Sequence, residues 1–365
     1  MSLAVLARSF GSPEVLEVVE VDPPVAGPGQ VVIEVRAAGV NPADAKLVAG
    51  TFGDDPSMLP IRPGSEVAGV VTALGPDAVD GVLQGGDGPV SVGDEVIAYR
   101  VSGGYATEVA VRATSVFAKP AAVGWAAASG LLLAGVTAWH LVEATGVGPD
   151  DVVIVLGASG GVGAMAVQLA ALRGARVVGV ASAAHADYVT ALGATPVPRG
   201  PHLESRLREA LSALGVGGAG GEGGAGGDGG AGDASGAGGA GGAGGDGGAG
   251  DAGGAGGAGG ALATVALDTA GGAEGLDAAV ALVPDRARIA TIAAFERGAE
   301  LGIRLLGSGP GADPGTSLRN AARAPLVALA ADGSLTVTVA ATHPLSSAAE
   351  ALTLPHAPGK VALLP

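Results

Sequence analysis

The segment with the clearest chemical meaning is a glycine-rich turn that follows an apolar stretch. Val152–Leu156 is continuously apolar, and Gly157-Ala158-Ser159-Gly160-Gly161-Val162-Gly163 follows it directly. Such an apolar run predicts a strand buried on both faces, and the residues after the turn predict a helix. The free N–H groups at the start of such a helix, together with its dipole, attract the phosphates of a dinucleotide. We therefore interpret the turn as a dinucleotide-binding site.

The glycines of this turn have separate expected roles. Gly157 allows the tight turn, and Gly163 permits close packing of the helix on the sheet. Either Gly160 or Gly161 lets the backbone approach the pyrophosphate, because neither has a Cβ. Two residues, Ala158 and Ser159, separate Gly157 from Gly160, whereas the strict G-x-G-x-x-G form has one residue between its first two glycines. The candidate cofactor-binding residues of the turn are Gly157, Ser159, Gly160, Gly161, Val162 and Gly163.

The end of the next predicted strand bears on the choice of cofactor. That strand, 175–182, ends at Ser182, where an NAD-preferring site places Asp or Glu to bind the ribose hydroxyls. Serine does not repel a 2′-phosphate, so the sequence favours NADPH, and NADH stays possible. His185 and Arg199 are the basic residues nearby. The alternative for each is that it is an ordinary surface residue.

These residues require a particular set of elements to position them. Strands and helices alternate from residue 152 onward, which predicts a doubly wound parallel α/β sheet. Residues 1 to about 120 contain short strand-like runs separated by Gly and Pro turns, which predict a β-rich unit. The predicted strands are 31–35, 66–74, 95–99, 152–158, 175–182, 263–270 and 288–293.

A segment made almost entirely of Gly and Ala interrupts the α/β part. Residues 223–240 and 241–258 are tandem copies that differ only at Ser235 and Gly253. Such a segment offers no side chains for a core, and glycine has the largest backbone entropy to lose. We therefore interpret residues 216–261 as a disordered insertion. A partner-binding segment is the alternative.

Composition and charge exclude several classes of protein. The net charge of −16 disfavours nucleic acid, whose phosphates need Lys and Arg partners. Cysteine is absent, which excludes disulfides and any zinc site built on Cys. Residues 121–142 and 152–172 carry no charged side chain, but glycines interrupt both, so we expect no membrane span. Residues 1–10 lack the features of a secretory signal, and we expect a cytoplasmic protein.

Further motifs make the chain resemble a known family. They are the segments Ala38–Asp44, Pro63–Gly69, Val92–Val96, Gly103–Ala106, Leu267–Gly272 and Gly359–Val361. In order and spacing the chain resembles the medium-chain dehydrogenase/reductase superfamily, in its zinc-free quinone oxidoreductase branch. The resemblance implies a GroES-like catalytic domain at 1–122, a Rossmann domain at 123–307, and a return to the catalytic domain at 308–365. It also implies a dimer or a tetramer, and we expect a homodimer.

The resemblance assigns further candidate residues. Asn41 and Asp44 match residues that line the cleft in similar enzymes and are the candidate catalytic residues. Thr137 matches a position near the nicotinamide and is a candidate cofactor-binding residue. Asn41 could donate a hydrogen bond to the substrate oxygen, or it could serve the backbone of the Asn-Pro turn. Zinc-dependent relatives carry Cys where Asn41 stands and His where Ser65 stands, so we expect no metal. The proton donor is left open, with Tyr99 and Tyr105 as candidates.

These expectations converge on an oxidoreductase. Without a metal Lewis acid the substrate must already be activated, as in a quinone or an α,β-unsaturated carbonyl compound. The resemblance thus implies an enzyme that reduces such a small molecule with NADPH by direct hydride transfer. Two alternatives remain: a non-catalytic dinucleotide-binding protein that acts as a sensor or in a structural role, and an enoyl reductase that acts on acyl thioesters.

Overall fold

The chain is described here by a computed structural model, which covers residues 1–78, 83, 86, 88–215, 263–354 and 358–365. The predicted insertion at 216–261 lies outside these residues. The strands are β1 (Ser2–Ala7), β2 (Leu16–Val21), β3 (Gln30–Val40), β4 (Glu66–Leu74), β5 (Glu95–Tyr99), β6 (Glu108–Arg112), β7 (Val116–Ala118), β8 (Val152–Leu156), β9 (Arg176–Ala181), β10 (Thr195–Pro198), β11 (Val265–Asp268), β12 (Ile289–Thr291), β13 (Arg304–Leu305), β14 (Val339–Pro344) and β15 (Lys360–Leu364).

The helices lie mostly between the strands of the second half of the chain. They are α1 (Pro42–Val48), α2 (Trp125–Ala128), α3 (Leu132–Ala144), α4 (Gly161–Leu172), α5 (Ala186–Ala191), α6 (Leu203–Ala213), α7 (Ala273–Leu282), α8 (Phe295–Glu300), α9 (Thr316–Ala321), α10 (Arg323–Ala331) and α11 (Ala348–Thr353). On α6 the buried residues Leu203, Leu207 and Leu211 recur every four positions, as expected for a helix with one face on the core.

A mainly antiparallel sheet of seven strands contains most of the N-terminal part. Its order is β14-β15-β3-β4-β5-β7, and β6 also pairs with β3. The sequence predicts only residues 31–35 of β3, whereas the strand runs over Gln30–Val40. The extension beyond residue 35 has a tertiary cause: β4 pairs with β3 as far as Ala38, and β15 pairs with its last three residues.

A parallel sheet of six strands forms the second half. Its order is β10-β9-β8-β11-β12-β13, so successive strands add first on one side of β8 and then on the other. Every residue of β8 and of β11 is buried, which agrees with the continuous apolar runs in the sequence. The strand order reverses between β8 and β11, and ligands of such sheets bind outside the carboxyl ends of the strands at this point.

The two sheets meet along a shared core. Tyr99, at the end of β5, packs in the same cluster of buried residues as Leu326 of α10 and the residues of α3. The C-terminal strands β14 and β15 then return to the antiparallel sheet. The exact domain boundaries at 122 and 307 stay a prediction.

Within the residues that the structure describes, no helix combines the length and the apolar character that a membrane crossing requires.

Candidate functional site

The glycine turn lies between the carboxyl end of β8 and the start of α4. Gly157 has a φ of +81°, which an L side chain rarely adopts. The N–H groups of Gly157 and Ala158 donate to the carbonyl of Val180 in β9, at 3.0 and 2.9 Å. A Cβ added to Gly163 would lie 2.1 Å from the carbonyl oxygen of Gly157, so α4 approaches the turn as closely as glycine allows.

The start of α4 offers hydrogen-bond donors at this edge of the sheet. Gly160 is the residue before the helix, and its N–H already donates to Gly157. The N–H groups of the first helical residues, Gly161, Val162 and Gly163, have no partner within the helix. They therefore form, with the helix dipole, a site suited to an anionic group.

Polar residues that follow the neighbouring strands lie beside this turn. Ser159 Oγ lies 3.1 Å from Nδ1 of His185, and the N–H of His185 donates to the carbonyl of Ser182 at 2.9 Å. The N–H of Arg199, after β10, donates to the carbonyl of Ala181 at 2.7 Å. The structure thus brings Ser182, His185 and Arg199 to the same edge as the glycine turn.

The C-terminal strand braces the turn from the other side. The N–H of Gly359 donates to the carbonyl of Ser159 at 2.9 Å. A Cβ on Gly161 would lie 2.8 Å from Cδ of Lys360. A side chain at position 161 would therefore collide with the aliphatic part of Lys360. The expected approach of Gly161 to a pyrophosphate stays a prediction.

Lys360 leads from the glycine turn to a buried polar network. Its Nζ contacts Oδ1 of Asn41 and lies 3.2 Å from Oε1 of Glu66 and 3.2 Å from the carbonyl of Val40. Nδ2 of Asn41 donates to Oε1 of Glu66 at 3.0 Å, and the N–H of Leu133 donates to Oε2 of Glu66 at 2.9 Å. Lys360, Glu66 and Asn41 are all buried. This Lys360 network connects β3, β4 and β15 with the start of α3.

Asp44 forms a second buried network at the start of α1. Its carboxylate accepts hydrogen bonds from the Tyr105 hydroxyl at 2.9 Å, the Asn41 N–H at 3.0 Å and the Ser65 hydroxyl at 3.1 Å. Burial raises the pKa of Asp44 to about 6, although these hydrogen bonds lower it. Burial, and after it the Asp44 charge, raises the pKa of Tyr105 well above its usual range. Tyr105 is fully buried against Asp44, so its hydroxyl serves this network.

Thr137 lies on α3, one turn beyond the Leu133 N–H that binds Glu66. Its side chain is buried, and its hydroxyl donates to the carbonyl of Leu133 at 2.8 Å. This back-bond holds the hydroxyl within its own helix.

The structure divides the sequence candidates into two groups and adds two residues. The residues of the glycine turn and Ser182 lie together at the edge of the parallel sheet, whereas Asn41 and Asp44 lie on the antiparallel side. Lys360 and Glu66 connect the two groups. Neither residue is among the functional residues predicted from the sequence. One sequence feature could have indicated them: β4 and β15 are mostly apolar strands, and each begins with a charged residue.

Comparisons with known proteins agree with this architecture. The alcohol dehydrogenase GroES-like domain matches residues 27–121. Human quinone oxidoreductase is 34% identical over 181 residues, which are 49% of this chain and 52% of that protein. Polyketide synthase GfsB of Streptomyces halstedii is 39% identical over 166 residues, which are 45% of this chain and 3% of the synthase. This chain thus spans about half the length of the quinone oxidoreductase.

A solved structure covers the whole chain. Mycobacterial Rv1454c complexed with NADPH has a TM-score of 0.74 and 25% identity, and the match covers 100% of both chains. Together with the GroES-like match, it confirms the expected fold class, a GroES-like β-rich part joined to a doubly wound parallel sheet.

Proposed function

We propose that this chain is a member of the quinone oxidoreductase-like branch of the medium-chain dehydrogenase/reductase superfamily, and that it reduces a quinone or an α,β-unsaturated carbonyl compound with NADPH. NADPH, when bound, supplies the hydride, and the conjugated substrate delocalises the charge that hydride addition creates. The task of the protein is then to bind both molecules and to orient them.

The observation that carries this proposal is the position of the glycine turn. It lies at the carboxyl end of β8, next to the point where the strand order reverses. We propose that the N–H groups of Gly161, Val162 and Gly163 hold the pyrophosphate, with Gly157 and Gly160 shaping the turn. The NADPH complex of Rv1454c, which shares the fold over its whole length, supports this assignment.

The preference for NADPH over NADH is proposed from the charges at the end of β9. Ser182 stands where a carboxylate would repel the 2′-phosphate. His185 and Arg199 follow β9 and β10 and lie at the same edge, so Arg199 can supply a positive charge to that phosphate and His185 a hydrogen-bond donor.

Hydride transfer without zinc is also part of the proposal. The chain has no cysteine, and the described residues contain no group of three His, Asp or Glu side chains that could hold a metal. In addition, the Lys360 ammonium contacts Oδ1 of Asn41, the residue that stands where zinc-dependent relatives carry Cys. The side-chain oxygen of Asn41 that could ligate a metal is therefore already occupied by an ammonium donor.

We propose that Asn41, Asp44 and Thr137 act as positioning residues. The Asn41 amide already contacts Glu66 and Lys360, and the Asp44 carboxylate already accepts hydrogen bonds from four donors. Their contacts support a role in fixing α1, β15 and α3 around the cleft.

The test measures oxidation of NADPH and of NADH with a panel of quinones, enones and aldehydes. We expect a higher kcat/KM for NADPH, and we expect Ser182→Asp to lower that preference by about tenfold through repulsion of the 2′-phosphate. Ser212→Asp, on the exposed face of α6, is the matched control. A parent protein that prefers NADH would contradict the 2′-phosphate argument.

Two further measurements separate the alternatives. Tight NADPH binding without turnover of any substrate would favour a non-catalytic dinucleotide-binding protein. About one zinc per chain in elemental analysis would contradict the zinc-free mechanism. The acyl-thioester alternative gains support from the similarity to GfsB, because that match is to part of a polyketide synthase.

The assembly and the location are proposed from the sequence and the family alone. We propose a homodimer in the cytoplasm, with small-molecule substrates as its partners. Light scattering after size-exclusion chromatography tests the assembly, and a monomer at micromolar concentration would contradict it.

A further inference from the structure

Three arginines surround one tyrosine where the two sheets meet. Arg319 hydrogen-bonds the hydroxyl of Tyr99, at the end of β5, and the guanidinium of Arg323 lies 5.3 Å from the centre of the Tyr99 ring. Arg100 directly follows Tyr99 and has a φ of +63°, a left-handed conformation that is uncommon for a residue with a side chain. We call Arg100, Arg319 and Arg323 the arginine cluster.

The positive charge of the arginine cluster is poorly compensated. Burial and the nearby charge of Arg100 lower the pKa values of Arg319 and Arg323, and only the proximity of Tyr99 and, for Arg319, Asp313 opposes this. Over the described part of the chain, none of the three guanidinium groups has a carboxylate within ion-pair distance. A positive cluster of this kind is conspicuous in a chain of net charge −16.

The neighbouring polar groups do not remove this excess. Nε of Arg319 lies 3.3 Å from Nδ1 of the buried His140. Burial is the main cause that lowers the pKa of His140, and the charge of Arg319 is the second. Asp313 lies 3.5 Å from the other ring nitrogen of His140, and its side chain is 63% exposed. The arginines therefore keep a net positive charge near neutral pH.

One donor of the cluster is buried without a partner. Nε of Arg323 has no hydrogen-bond acceptor among the described residues, although its Nη2 contacts Oδ1 of Asn320. A buried donor without an acceptor costs free energy, and the Arg323 side chain, which is partly exposed, still offers guanidinium N–H groups that an anion can reach.

Helix α3 relates the cluster to the proposed active site. The N–H of Leu133 binds Glu66, and Thr137 and His140 follow at helical spacings of four and three on the same face. Leu133 and His140 are seven residues apart, or about 10 Å along the helix. The end of α3 that carries His140, beside the cluster, and the end that carries Leu133, beside the Lys360 network, are thus about 10 Å apart along the helix axis.

We propose that the arginine cluster binds an anionic group, a phosphate or a carboxylate, at the end of the substrate that does not react. This inference rests on the proposed function, because it names the class of substrate that the oxidoreductase site would take. Phosphate and carboxylate share the chemistry that guanidinium groups recognise, two or more oxygens that accept charge-assisted hydrogen bonds.

The test compares substrates that differ only in the anionic group. One pair is crotonyl 4′-phosphopantetheine and crotonyl pantetheine, and the other is a naphthoquinone with a propionate side chain and its methyl ester. We expect the parent protein to favour the anionic member, and we expect Arg323→Gln and Arg100→Gln to reduce that ratio of kcat/KM by about tenfold, mainly through KM. Arg323→Lys should retain part of the preference because it keeps the charge.

Arg297→Gln is the matched control, since Arg297 is a half-exposed arginine on α8 that pairs with Asp277. It should leave the ratio unchanged. A response to the phosphate pair alone, or to the carboxylate pair alone, would identify the source of the anion. Equal ratios in the parent and in the cluster variants would overturn the proposal, as would a rise in KM for NADPH in place of the substrate.

A binding measurement keeps the proposal separate from the proposed reaction. Calorimetric titration with 4′-phosphopantetheine and with pantetheine requires no turnover. We expect the phosphorylated molecule to bind the parent at least tenfold more tightly than Arg323→Gln, even if no tested carbonyl compound is reduced. Equal affinity for both molecules in the parent and in the variant, together with turnover of neutral quinones, would overturn the cluster alone.

Discussion

Asp44 and Glu66 are both buried carboxyl groups, but their partners differ in charge. Glu66 lies 3.2 Å from the Lys360 ammonium, which compensates its negative charge. Asp44 meets only uncharged donors, so burial raises its pKa to about 6. At the scale of single residues, the two groups should therefore respond differently to mutation and to pH.

Removing Lys360 should leave the Glu66 charge buried without its counter-charge. We expect Lys360→Met to lower the free energy of unfolding by roughly 3–5 kcal/mol, measured by urea denaturation at pH 7. The double variant Lys360→Met with Glu66→Gln should recover much of that loss, since no unpaired charge remains. Arg208→Met is the control, because its pair with Glu204 is partly exposed and should contribute less than about 1 kcal/mol. Equal losses in the single and double variants would contradict the argument.

The raised pKa of Asp44 has a definite sign in stability. The folded protein keeps this proton up to a pH of about 6, whereas the unfolded chain releases it near 3.8. The contribution of Asp44 to stability is thus fully present below about 3.8 and is lost as the pH rises through about 6. Relative to Asp44→Asn, the parent should lose up to about 3 kcal/mol between pH 4 and pH 7. If the curves of unfolding free energy against pH were parallel for the parent and Asp44→Asn, the pKa of Asp44 would not be raised in the folded protein.

At the scale of elements, local and distant information separate clearly. The strand, turn and helix around Gly157–Gly163 could be predicted because an apolar run and its glycines specify them within one stretch of sequence. The full length of β3 could not be predicted, because pairing with β4 and with the distant strand β15 extends it to Val40. The role of Lys360 could not be predicted either, since its contact with Asn41 joins residues that lie 319 positions apart.

The turn itself should tolerate no side chain at Gly163. An added Cβ would lie 2.1 Å from the Gly157 carbonyl oxygen and 3.0 Å from Cα of Ala158, both backbone atoms that cannot move independently of the sheet. We expect Gly163→Ala to cost more than about 2 kcal/mol of stability and to weaken NADPH binding, because α4 is displaced. Gly272→Ala is the control, since nothing lies within 4 Å of its Cβ position. Equal melting temperatures for the two variants would contradict this packing argument.

At the scale of the whole molecule, the C-terminal segment ties the two sheets together. β15 pairs with β3 in the antiparallel sheet, while the preceding Gly359 binds the carbonyl of Ser159 in the glycine turn. Lys360 then joins Asn41 and Glu66. The proposed cofactor site and the proposed substrate side are thus connected through the last strand, and any large rearrangement between them must break these contacts.

The Gly- and Ala-rich stretch offers the strongest test of how much of the chain this architecture needs. The described residues on either side of it are held by contacts that do not involve it. Arg176 Nη1 donates to the carbonyl of Leu214 at 2.7 Å, and the Thr264 N–H donates to the carbonyl of Val152 at 3.0 Å. Both anchors lie on the parallel sheet, and no residue of the proposed site belongs to residues 217–260.

We therefore expect that replacing residues 217–260 with a Gly-Ser linker of about 12 residues keeps kcat/KM for NADPH and a quinone within about threefold, or under about 1 kcal/mol in barrier. The free energy of closing a loop changes only by about 0.6 kcal/mol for each halving of its length, so the melting temperature should hold or rise slightly. Steady-state kinetics and thermal denaturation of the parent and the deletion variant check both statements. A variant that folds with an unchanged melting temperature but loses activity would contradict the interpretation as a dispensable insertion, and would show that this stretch orders over the site or docks a partner.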